Sequence, residues 1–325
     1  MKNLITISIV ILLSSCYIYH PYETKSHDNR PISIQGKSAN VCKELKGNTI
    51  LYLIYVNDKS SKHWNNFDLE QSKNAIAKSE KWINKEANKN DVSLNLKVVH
   101  HSAEDSIKPI VANLTYKSVN HHLFYAEKGI EKIHKWSNKI SKKVNYDLRK
   151  THQNIPKEIK GRDDLIYNLR KIYKTDNIAL MFVLNNPIRE ESSVTFHNQN
   201  TFSNNNSSEY TIISQSKKPA VFAHEFLHLF GAMDFYNVNY QHIKIDKKLR
   251  KKYGRKHASV GAGSNNKTYI LREHPNAIMK NINLEVLDSL EITPITQYLI
   301  GWKTKEKVSI KDKELMLFGD YIVLD

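Results

Sequence analysis

The chain has 325 residues, 40% of them hydrophobic and 25% charged, and carries a formal net charge of +16. That length holds one large domain or two modest ones, and that balance excludes a disordered chain. No apolar run approaches the roughly 20 residues of a spanning helix; two cysteines allow neither a disulfide framework nor a cysteine-based zinc site.

Residues 1–15 read as an export signal: Lys2 gives a positive start, and 4–13 (LITISIVILL) form an apolar stretch too short to span a bilayer. Small residues then lead to a cysteine (LSSC, 13–16). This ending resembles the lipobox of bacterial lipoproteins. The resemblance implies cleavage before Cys16, acylation of that cysteine with palmitate-type chains, and a mature protein held on a bacterial membrane by lipid. Tyr17 stands where an aspartate marks inner-membrane retention, which favours the outer membrane or cell surface. The plainer alternative is a secretory signal with an incidental cysteine. With Cys16 acylated, Cys42 has no partner and reads as a small buried hydrophobe rather than an inhibitory thiolate.

Residues 16–46 are polar and punctuated by Pro21 and Pro31, which suits a tether. The folded domain is expected over 47–305, divided near 231 into a larger and a smaller subdomain, with 306–325 as a hairpin or tail. Residues 49–56 (TILYLIYV) predict a buried strand, and Leu69, Ile76 and Ile83 at sevens, with Ala75 and Trp82, predict a helix over 68–88. Val92, Leu94, Leu96 and Val98 alternate as a second strand. Strand, long helix and strand make a right-handed unit with parallel strands.

Ile130, Ile133, Trp136, Ile140, Val144 and Leu148 predict a second helix; Leu165, Leu169 and Ile172, past Pro156, predict a third. Their lysine runs read as solvated faces. The continuous run 178–184 (IALMFVL) predicts a central strand covered on both sides. Shorter strands are expected at 193–197 and 210–214, around a Ser/Asn-rich loop. The basic excess is spread along the chain, without the aromatic-plus-basic patterns of nucleic-acid readers, and no nucleic-acid partner is expected. The pairs His100–His101 and His121–His122 read as surface or loop histidines, since adjacent residues do not share a face.

The chemistry concentrates at 224–234. Pro219 opens a helix and Gly231 closes it around the string AVFAHEFLHLF. Four residues apart, His224 and His228 share one helix face and can grip one metal ion, while Glu225 is placed to reach a metal-bound water. Gly231 allows a sharp turn that brings Asp234 back as third ligand, and carboxylate is a competent zinc ligand. His242 is the alternative third ligand, less well spaced.

HEFLHLFGAMD resembles the extended zinc motif of the metzincins, HExxHxxGxxH, with Asp in the last place as in some members. The residues Ala277-Ile278-Met279 resemble the family's methionine turn, and 294–302 the helix that follows it. The resemblance covers about residues 48–303. It implies an α/β (α+β) fold: a twisted, mostly parallel sheet with an edge strand, long helices, an active-site helix and a smaller C-terminal subdomain. It implies one catalytic Zn²⁺ on His224, His228 and Asp234, with Met279 beneath. It also implies endopeptidase activity on protein or peptide substrates, with a zinc-bound water as nucleophile and Glu225 as general base. Substrate is expected to lie extended along the 193–197 strand. Two departures stand out: Asn281 occupies the place of an extra tyrosine ligand, and the long gap before Met279 holds the basic stretch 244–257, read as a solvated insertion. The competing functions are an inactive zincin-fold surface binding lipoprotein, a deformylase-like hydrolase lacking its cysteine ligand, and a basic surface binder resting on charge alone.

Overall fold

The computed structural model describes residues 44–58, 62–102, 107–112, 126–152, 155, 161–185, 193–196, 209–213, 218–232, 258–259, 274–280, 286–303 and 322–323. Its centre is a six-stranded sheet of α/β type. Strand β1 (Gly47–Asp58) is followed by helix α1 (Asn66–Lys89), then β2 (Leu94–His100) and β3 (Ile110–Ala112). Helices α2 (Ala126–Thr151) and α3 (Arg162–Tyr173) lead into β4 (Asn177–Leu184), and β5 (Val194–Phe196) and β6 (Tyr210–Ile213) complete the sheet. The order is β2-β1-β4-β6-β5, with β3 also on β1. Every pairing is parallel except β5 with β6. Because β4 occupies the other edge of β1, β2 and β3 follow one another along a single edge, and the chain from 101 to 109 interrupts them.

The sheet is covered on both faces, which is why β1 and β4 are apolar without alternation. Leu51, Leu53 and Tyr55 of β1, with Ala179, Met181 and Val183 of β4, pack toward α1 and the helix α4 (Pro219–His228). Ile50, Tyr52, Ile54 and Val56, with Leu180 and Phe182, pack toward α2 and α3. Side chains on a strand point alternately up and down, so one sequence feeds two cores. Helix α1 starts where the Asn65 side chain accepts from the Asp68 N–H at 2.8 Å, capping an otherwise unpaired donor.

Residues past the zinc-type motif belong to the α1/α4 core. Ala277, Ile278, Met279 and Ile292 are buried there, together with Ile295 of α5 (Pro294–Leu299). Leu45 joins the same core: its N–H donates to the Ile300 carbonyl at 2.9 Å, and Trp302 Nε1 donates to the Leu45 carbonyl at 2.7 Å. The folded part therefore includes residues assigned from sequence to the tether. Near the C-terminus β8 (Ile322–Val323) pairs antiparallel with β7 (Ala258–Ser259), just past the basic stretch. Among the described residues no helix is long and apolar enough to cross a membrane.

Candidate metal centre

Helix α4 is buried from Ala220 to His228, with Phe222, Phe226 and Leu227 set in the α1/α4 core. Pro219 sits in its first turn, where a missing N–H costs nothing. The helix ends at His228, and Gly231 follows with φ +100°, a conformation side chains rarely adopt. That reversal returns the Ala232 carbonyl to His228, whose Nδ1 lies 2.8 Å away. His224 Nδ1 lies 3.1 Å from the carbonyl of Ile278, 54 positions further along the chain.

A carbonyl oxygen only accepts, so both imidazoles carry their proton on Nδ1 and present a lone pair at Nε2. These two Nε2 atoms face each other at 3.0 Å, with the rings perpendicular at 89°. Two acceptors at that separation repel unless a proton or a cation stands between them. Two nitrogens held at about 2.0–2.1 Å by one tetrahedral zinc ion stand about 3.3–3.4 Å apart. The observed spacing is within a few tenths of an ångström of that, and carbonyl partners on the far ring nitrogens are what orient zinc-binding histidines. The residues present fit the ion.

Glu225 points elsewhere. Its Oε2 accepts from Thr195 Oγ1 of β5 at 2.6 Å, and Thr195 Oγ1 lies 2.7 Å from Thr211 Oγ1 of β6. The two threonines are register partners across the antiparallel pair. One hydroxyl has one proton, so Thr195 gives its own to the carboxylate and receives that of Thr211. The carboxylate is thereby tied to the sheet edge.

The segment 274–280 is a turn that bonds to the chain before α5: the Ile278 N–H donates to the Glu291 carbonyl at 3.0 Å, and the Glu291 N–H to the Asn276 carbonyl. Met279 is fully buried in the α1/α4 core, next in sequence to the carbonyl that holds His224. Asp234 lies two residues past a described segment, and it, His242, Asn281, the 244–257 stretch, His121–His122, Cys16 and Cys42 lie outside the described residues. Among the described residues no group of three His, Cys, Asp or Glu side chains gathers to hold a metal.

The pair His100–His101 takes opposite faces, as strand alternation requires. His100 stacks on Tyr55 toward the α1 side at 5.8 Å, and His101 Nδ1 meets Tyr52 Oη on the other side at 3.1 Å. Of the surface-or-loop expectation, the loop holds for His101, which lies in a bend just past β2; at 8% exposed and covered by α2 it is not on the surface. The sequence pattern did not reveal the two carbonyls or the threonine pair. Only an alternation argument on 194–196 and 210–213 could have put Thr195 and Thr211 on one face. No protein-family model, curated protein or solved structure matches the chain.

Proposed function

We propose that the chain is a zinc-dependent endopeptidase of the metzincin kind, carried to a bacterial membrane by a lipid on Cys16. The observation that carries this reading is the meeting of His224 Nε2 and His228 Nε2 at 3.0 Å, each ring anchored through Nδ1 to a main-chain carbonyl. The HEFLHLFGAMD string supports it, as does the turn around Met279 beside His224. In this reading His224, His228 and Asp234 hold the ion, and the fold is the two-part metzincin arrangement around α4.

When bound, zinc supplies Lewis acidity toward water and a substrate carbonyl. The rest falls to the chain. Glu225 accepts a proton from the attacking water and returns it to the departing amine. Thr195 holds Oε2, which leaves Oε1 as the oxygen that takes the proton. Strand β5 lies at the sheet edge, so an extended substrate adds beside it through main-chain hydrogen bonds.

A proteome-derived peptide library incubated with purified protein, with and without chelator, tests the proposal. Chelator-sensitive cleavage by the wild type and none by Glu225→Gln is the expected result. Bound zinc without cleavage of any peptide would instead make the chain an inactive zincin-fold surface lipoprotein.

A further inference from the structure

The lysine runs of α2 and His101 meet in one cleft of about 1290 Å³. It lies across the sheet from His224 and His228, at the break between β2 and β3. Its floor is apolar, formed by Ala112, Trp136 and Ile140, all buried. Among the described residues its rim carries Lys108, Lys139, Lys142, Lys143 and Lys150 against one carboxylate, Asp147. Asp147 is already engaged, 2.7 Å from Lys150 Nζ and 3.5 Å from His101 Nε2. The described part of the rim is thus left with a strong positive excess.

Three further observations describe what such a cleft takes. Val111 and Tyr146, two of the most exposed large apolar side chains among the described residues at 57% and 60%, stand on its rim. The buried indole N–H of Trp136, a cleft residue, has no hydrogen-bond partner among the described residues. The cleft is also large enough for a ligand of drug size or more, where a bare phosphate would contact the rim and leave the floor wet. An acidic peptide added as a strand finds this edge taken. Asn84 brackets the Leu96 N–H and carbonyl at 3.1 and 3.0 Å, Glu80 accepts from the Val98 N–H, and Lys143 donates to the Val111 carbonyl.

We infer that this cleft binds a phosphate ester carried on an apolar body, the chemistry of an anionic glycerophospholipid. The phosphate meets the lysine rim and the apolar body lies on the Trp136–Ile140 floor. The site is independent of the metal centre.

Calorimetric titration of the full chain with dihexanoyl phosphatidylglycerol below its micellar range tests this. Dihexanoyl phosphatidylcholine, glycerol 3-phosphate and a glutamate oligopeptide serve as comparison probes. Phosphatidylglycerol should bind at least about tenfold tighter than each of them, and Lys139→Glu/Lys142→Glu should weaken it about tenfold or more. Tyr146→Ala, at an exposed position, should weaken binding while leaving its salt dependence unchanged. Glycerol 3-phosphate or the oligopeptide binding as tightly as the lipid would overturn the inference. So would a double variant that keeps its fold by circular dichroism and binds like the wild type. Phosphatidylglycerol vesicles distinguish the source: binding that the double variant weakens places the ligand in a bilayer, and binding of the soluble lipid alone places it in solution, both supporting the site.

Discussion

Each face of the sheet holds a histidine site, His224 and His228 buried on one and His134 half-buried on the other, and the two are wired in opposite ways. On the α2/α3 face, His134 Nδ1 accepts from Tyr210 Oη at 3.0 Å and lies 3.4 Å from Arg162 Nη2. Arg162 also donates to the His134 carbonyl at 3.1 Å and to Ser137 Oγ, and lies over the Tyr210 ring at 4.2 Å. Donors there face acceptors. Burial, with the Arg162 charge beside it, pushes the His134 pKa down to about 4, and burial pushes the Tyr210 hydroxyl up to about 12. On the α1/α4 face, the donors of both histidines are used by main-chain carbonyls, and acceptor faces acceptor. Burial alone does not separate a structural histidine from a ligand. What separates them is where the lone pairs point.

The comparison predicts different losses. His224→Ala or His228→Ala should abolish chelator-sensitive peptide cleavage outright, and Asp234→Ala should do the same, whereas His242→Ala should leave it unchanged; turnover of the four variants checks this. Glu225→Gln should keep its zinc and lose about 10²–10⁴ in rate, the usual cost of a missing general base, read from kcat with metal content measured alongside. Thr195→Val removes the hydroxyl that fixes Glu225 and leaves both histidines untouched, so kcat should fall about tenfold at constant zinc content.

The other face predicts an effect on stability rather than on turnover. An ordinary histidine titrates near 6.5. Since His134 resists protonation when folded, the unfolded chain gains protons first as pH falls from about 6.5 toward 4. Its contribution to stability is present above 6.5 and is lost on acidification, at up to about 1.4 kcal/mol per pH unit. His134→Asn keeps an acceptor for Arg162 and Tyr210 and should flatten that part of the acid loss in urea unfolding between pH 7 and 4.5. An acid slope unchanged in His134→Asn would contradict this assignment.

Much of this is legible in the residues themselves. Spacing by four is enough to put His224 and His228 on one helix face, and the unbroken run 178–184 announces a strand covered twice. Main-chain carbonyls carry no residue identity, so the Ile278 and Ala232 acceptors leave no mark in the sequence. The Thr195–Thr211 pair depends on the register of two short strands across a Ser/Asn-rich loop, which composition does not set. β3 is three residues long, too short for alternation to mark. The lysines of α2 resemble a solvated face in sequence because their partners, 108–112, reach them only through the break in the sheet edge.

The zinc content of the purified full chain tests the central claim most directly. The wiring of the α1/α4 face predicts about one zinc per wild-type chain and almost none in His224→Ala or His228→Ala prepared alongside, with His134→Asn loaded like the wild type. A wild-type chain that binds no transition metal, or variants that hold zinc as well without either histidine, would contradict it.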